Sequence, residues 1–142
     1  MTIYQKALEF KKKYPKTVAW RLKQNSKIAE IHLNPDEKVR YVFAAQKNHY
    51  SYEMFRTFVV VITDKRLILA QKRLLFGYLF VSITPDMYND LTVMMRIFWG
   101  RICIDTIKEK IILSNIQKEA LPEIETEITQ FMMEAKKNNS QD

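Results

Sequence analysis

Lys47, His49 and Arg56 fall on one short stretch of the chain, and Lys72 and Arg73 stand together ahead of Leu74-Leu75-Phe76-Gly77-Tyr78. Cations grouped in this way attract anions: a phosphate, an acidic lipid headgroup or a nucleic-acid backbone. The second group has a further property. Two cations beside Leu75 and Phe76 suit a bilayer interface, unless those apolar side chains fold back onto the core. Other chemistry is scarce. His32 and His49 are isolated and show no metal-ligand spacing, and the single cysteine, Cys103, cannot form an intramolecular disulfide. Asp86 and Asp90 flank a turn and could pair for a cation, although turn chemistry accounts for both. With only two glycines, Gly77 and Gly100, neither a P-loop nor a dinucleotide-binding fingerprint can be written. No serine occupies a nucleophile elbow. The expectation is a binding protein rather than an enzyme, with no catalytic residue, no metal site and no cofactor.

Two further partner classes can be weighed from the residues. Nucleic acid needs cations interleaved with aromatics, and the one such cluster is Arg21, Lys23 and Lys27 near Trp20. Val18 and Leu22 beside it read as one face of a packed helix, so nucleic acid is not the expected partner. Protein association has the better support. Residues 91–99 are apolar on both faces of a strand. If Leu91, Val93, Met95, Ile97 and Trp99 face the core, Met94 and Phe98 point outward and need a cover. Either N-terminal helices supply that cover, which is the expectation, or another subunit does. Phe76 is the third candidate interface residue.

The elements that must position these groups follow from periodicity. The chain of 142 residues, 47% hydrophobic and 27% charged, is the size and composition of one globular domain. Its net charge of +7 divides as +6 over residues 1–33, +4 over 34–116 and −3 over 117–142. No apolar stretch approaches the roughly 18 residues of a membrane span, and the N-terminus lacks a signal-peptide pattern, so a cytoplasmic soluble protein is expected. Thr2 can cap a helix that reaches Lys13 and stops before Pro15, and Thr17 can cap a second, with Asn25 or Ser26 restarting it. After Asn34-Pro35-Asp36 the period shortens to that of strands. These are expected at 39–43, 54–63, 66–71, 79–83, 91–98, 101–105 and 109–114, with a loop at 48–51, a bend at Gly77 and a turn at Gly100. The second strand reads as covered on both faces. A final helix carries Leu121, Ile124, Ile128, Phe131 and Ala135 on one stripe, started by Pro122.

One hairpin, Val60-Val61-Ile62-Thr63-Asp64-Lys65-Arg66-Leu67-Ile68-Leu69, resembles the strand, Thr-Asp-x-Arg turn and strand of the bacterial pleckstrin-homology-like (PH-like) domains. Asn34-Pro35-Asp36-Glu37-Lys38-Val39 is similar to the acidic start of their first strand, and Ile83-Thr84-Pro85-Asp86 to a strand end in them. The order of hairpins and the closing helix agree. The resemblance implies an α+β, mainly β fold: a seven-stranded antiparallel barrel or sandwich capped by the C-terminal helix. Residues 34–137 would form that domain, 1–33 a helical extension and 138–142 a frayed tail. It also implies a binding or scaffold module for a protein partner or a homo-oligomer. The alternative is peripheral binding to anionic lipid through Lys47, His49, Arg56, Lys72 and Arg73. Lipid-binding PH domains of eukaryotes hold phosphoinositide with basic residues near the first loop. Here Arg56 is followed by Thr57 and Phe58, so their pattern is incomplete.

Overall fold

A computed structural model of the chain describes residues 1–47 and 56–140. Two helices come first, α1 (Ile3–Lys13) and α2 (Leu22–Ile31). Among the described residues seven strands follow: β1 (Val39–Lys47), β2 (Thr57–Thr63), β3 (Leu67–Lys72), β4 (Tyr78–Ile83), β5 (Tyr88–Met95), β6 (Trp99–Thr106) and β7 (Lys110–Gln117). A long helix, α3 (Leu121–Ser140), closes the chain. The pairings are antiparallel, in the order β4-β3-β2-β1-β7-β6-β5. Among the described residues β1 meets β7 at Gln46↔Ser114 and Lys47↔Leu113. Strand twist accumulated over the seven strands curls the sheet into a half-barrel with β4 and β5 at its edges.

The concave side holds the main core. Phe43, Val60, Ile62, Leu67, Leu69, Ile102, Ile104 and Leu113 line it, and α3 lays Leu121, Ile124, Ile128 and Phe131 into it. Ile124 and Ile128 are wholly buried and Phe131 is 2% exposed. Side chains of this size contribute about 1.5–3 kcal/mol each on leaving water. Leu121 seats against Gly100, where an added Cβ would lie 2.2 Å from Leu121 Cδ1 and 2.8 Å from the Met94 carbonyl. Gly100 therefore serves close packing and not the expected turn. The hairpin turns earlier, at residues 96–98, where the Arg96 N–H donates to the Trp99 carbonyl (2.9 Å).

The convex side of β1–β3 is covered as well. Ile3 and Ala7 of α1 and Leu22, Ile28 and Ala29 of α2 pack on Val42, Ala44, Val59, Val61, Ile68 and Ala70. β2 is thus buried along its whole length, as its unbroken apolar run predicts. α1 starts at Thr2 with a reciprocal capping box to Gln5. The second helix departs from expectation. It begins only at Leu22, after Arg21 in a left-handed conformation (φ 56°). Thr17 does not cap it. That side chain is buried, and its hydroxyl oxygen accepts the Gln117 N–H (3.0 Å). Asn25 and Ser26 are buried within the helix rather than restarting it.

The N-terminal helices do not cover β5, contrary to expectation. They lie on β1–β3, at the other half of the curl. Leu91 and Val93 pack inward, but Met94 and Phe98 are exposed, and so are Met95, Ile97 and Trp99, which the alternation placed inside. β5 is an edge strand, and the core ends before its tip.

Candidate functional site

β1 ends at Lys47, β2 begins just after Arg56, and β3 ends just before Arg73. Antiparallel pairing brings these three strand ends to one place. The ladder registers Gln46 opposite Thr57, and Val59 opposite Ala70. Lys47, Arg56 and Arg73 consequently line a single groove of about 380 Å³, with Phe58, Gln71, Leu74 and Leu79. No acidic residue is among the described residues lining it. The Lys47 ammonium lies 5.8 Å from the centroid of the Phe58 ring. The arrangement is a cationic recess with apolar walls, suited to an anionic group attached to an apolar body.

Lys72 is not part of that recess. It lines a second groove of about 410 Å³ with Gln24, Lys27, Ile28, Ile31 and Tyr78. Successive residues at a strand end point to opposite sides, so Lys72 and Arg73 diverge. His49 lies outside the described residues.

The loop after β3 projects. Leu74 and Tyr78 are exposed, Leu75 is 80% exposed and Phe76 is 86% exposed. They do not fold back onto the core. The loop has a definite shape, because Gly77 takes a left-handed conformation (φ 74°) and its carbonyl accepts the Arg73 N–H (3.0 Å). Its base is pinned from outside. Asn25 Oδ1 accepts the Lys72 N–H (2.8 Å), Asn25 Nδ2 donates to the Thr57 carbonyl (3.0 Å) and Arg21 Nη1 donates to the Lys72 carbonyl (2.8 Å). Nothing local marks Asn25 or Arg21 for this task. Their partners lie 32 to 51 residues away in sequence.

The remaining candidates have structural partners. His32 ends α2, where its Nδ1 bonds the Ile28 carbonyl (2.7 Å), its Nε2 meets the Tyr78 hydroxyl (3.1 Å) and its ring stacks on Phe80. Asp86 bonds the Thr84 hydroxyl, and Asp90 Oδ1 accepts the Leu91 N–H (2.8 Å). Among the described residues no His, Cys, Asp and Glu side chains gather as a metal-ligand set.

The Thr-Asp-x-Arg turn builds the fold. Arg66 donates through Nε to Glu37 Oε2 (2.9 Å) and through Nη2 to Glu37 Oε1 (3.0 Å). Thr63 donates its hydroxyl to Glu37 (2.6 Å) and accepts the Arg66 N–H (3.0 Å), while Asp64 accepts the Lys38 N–H (2.8 Å). Burial pushes the Glu37 carboxyl up, but the hydrogen bonds from Arg66 and Thr63 outweigh it and hold the group below the ordinary carboxylate range.

Residues 33–130 match the model of the family described as "Bacterial PH domain". Of solved structures, the pleckstrin homology domain from Shewanella amazonensis SB2B is 16% identical, with 75% of this chain aligned to 83% of that one at a TM-score of 0.49. A DUF1696 family protein with a pleckstrin-homology domain from Shewanella loihica PV-4 is 17% identical, over 77% of this chain and 86% of that one, also at 0.49. No curated protein matches. Among the described residues no helix is long and apolar enough to cross a membrane.

Proposed function

The chain belongs to the bacterial PH domain family, and from that premise we propose that it is a non-catalytic binding module whose working surface docks on anionic membrane lipid. One observation carries this reading: Lys47, Arg56 and Arg73 converge on a recess beside a loop that holds Leu75 and Phe76 out in water. An exposed apolar loop is unfavourable unless something takes it up. Flanking cations select a negatively charged surface. Loop and recess then act together. The apolar side chains enter the interfacial region while the cations hold headgroups. Association with a protein, the stronger reading from sequence, leans on Met94 and Phe98 instead; the convergence of the cations favours lipid.

Vesicle sedimentation tests the reading. The chain is expected to pellet with phosphatidylglycerol vesicles and not with phosphatidylcholine vesicles at low salt, and to be released as salt rises. Arg73→Gln should weaken partitioning about fivefold, since a cation near the surface contributes ~1 kcal/mol. Phe76→Ser should weaken it about tenfold or more. Equal sedimentation with neutral and anionic vesicles defeats the proposal.

A further inference from the structure

We infer that the β5–β6 hairpin tip, Ile97-Phe98-Trp99, is a second anchor that enters the interfacial layer of the same anionic bilayer. The inference rests on the membrane reading of the basic recess and adds a separate surface to it. Ile97 is 75% exposed and Phe98 54% exposed, at the end of an edge hairpin that lies away from α1 and α2.

Three observations favour a bilayer as the occupant. The first is charge. Residues 91–104 contain Arg96 and Arg101 and no acidic residue, and the Lys16 ammonium lies 5.6 Å from the centroid of the Phe98 ring. The tip is thus apolar with a cationic collar, which matches a negatively charged interface. The second is that several of the tip's polar groups are already paired. The Trp99 indole N–H donates to the Lys16 carbonyl (2.7 Å), the Arg96 N–H to the Trp99 carbonyl (2.9 Å), and the Phe98 carbonyl accepts the Lys118 N–H (3.2 Å). Those groups can leave water without stranding a donor or acceptor. An indole is also the side chain that favours the headgroup boundary.

The third is position. The Lys16 carbonyl holds Trp99, while the Trp20 N–H donates to Thr57 Oγ1 (3.2 Å), next to Arg56 of the recess. Trp20 lies four residue steps beyond Lys16, a reach of at most ~14 Å. The segment 16–20 therefore links the second anchor to the first, and a bilayer that engages both multiplies their separate affinities.

Indole emission tests the inference. The chain has two tryptophans, so Trp20→Phe leaves Trp99 as the single reporter. With vesicles of equal phosphatidylglycerol and phosphatidylcholine in excess, Trp99 emission is expected to shift to shorter wavelength. Phosphatidylcholine brominated on its acyl chains should quench it. Ile97→Ser and Phe98→Ser should each weaken partitioning about tenfold. Ile97 is the safer site, because its side chain is mostly in water, and its variant should keep the parent's melting temperature. If the parent pellets with anionic vesicles while Trp99 emission stays fixed and both serine variants bind as well as the parent, the second anchor is refuted and the basic recess stands alone. If the parent does not pellet at all, both readings fall. A dimer seen by sedimentation velocity that Phe98→Ser dissociates, with emission that follows protein concentration and ignores lipid, overturns the inference in favour of a second copy of the chain.

Discussion

Glu37 and Arg66 stand 29 residues apart in sequence and form a two-pronged ion pair in which the Glu37 side chain is wholly buried. The sequence displayed both residues, one in an acidic strand start and one in a turn, but no local pattern joined them. Their pairing follows from β1 lying antiparallel to β2, with Val39 opposite Thr63. Arg66 also donates to the His32 carbonyl (3.0 Å), so the same guanidinium ties the end of α2 to the turn. Removing one partner leaves a buried charge uncompensated. Arg66→Met is expected to lower the unfolding free energy by about 3–5 kcal/mol in a urea titration, well above the loss from an exposed charge. Exchanging both residues for apolar ones of similar shape should restore much of it, which a double-mutant cycle would read.

Among the elements, α3 was the most legible. Its stripe of Leu121, Ile124, Ile128 and Phe131 repeats at helical spacing, and all four are buried in the half-barrel. Ile128→Ala should cost about 2–5 kcal/mol, because the rigid sheet around it cannot close the cavity. Met133, 71% exposed on the same helix, is the control: Met133→Ala should stay within about 0.5 kcal/mol in the same thermal or chemical melt. β2 and its hairpin to β3 were equally readable, since apolar runs and an Asp-containing turn are local signals. β5 was less so. Its alternation named Met95, Ile97 and Trp99 as inward, yet the strand ends at Met95 and the residues beyond form an exposed tip. Alternation says which residues share a face and not where the core stops along that face.

At the scale of the whole molecule, charge is carried unevenly, and several links between distant parts are ionic. Lys13 of α1 donates to Glu123 of α3 (2.6 Å), Tyr41 of β1 donates its hydroxyl to the same carboxylate (2.7 Å), and Arg40 donates to Glu134 (2.7 Å). Burial raises the Glu123 carboxyl, but bonds from Lys13 and Tyr41 prevail and lower it; the hydrogen bond from Arg40 lowers Glu134. With Glu37, three carboxyls hold their protons less readily folded than unfolded. The unfolded chain therefore binds more protons in acid, and stability must fall with pH. Melting temperature is expected to be flat near neutrality and to decline once pH drops below about 4.3, the ordinary glutamate value, as the folded groups are titrated in turn. Burial and the bond to Glu123 raise the Tyr41 phenol, so a second decline is expected above about pH 10, where only the unfolded chain ionises it. A melting temperature that holds level through acid would count against these links. Composition and periodicity were enough to determine the strand order along the chain and the closing helix, and the Thr-Asp-Lys-Arg hairpin carried the resemblance to the family, because each is written in neighbouring residues. Which strand ends meet was decided only by the tertiary structure. It joined Lys47, Arg56 and Arg73 in one recess and turned Lys72 away, placed the N-terminal helices on β1–β3, and left the β5–β6 tip in water. The reason is physical: a sheet's curl and its edges arise from pairings between segments far apart in sequence, and no single segment encodes them.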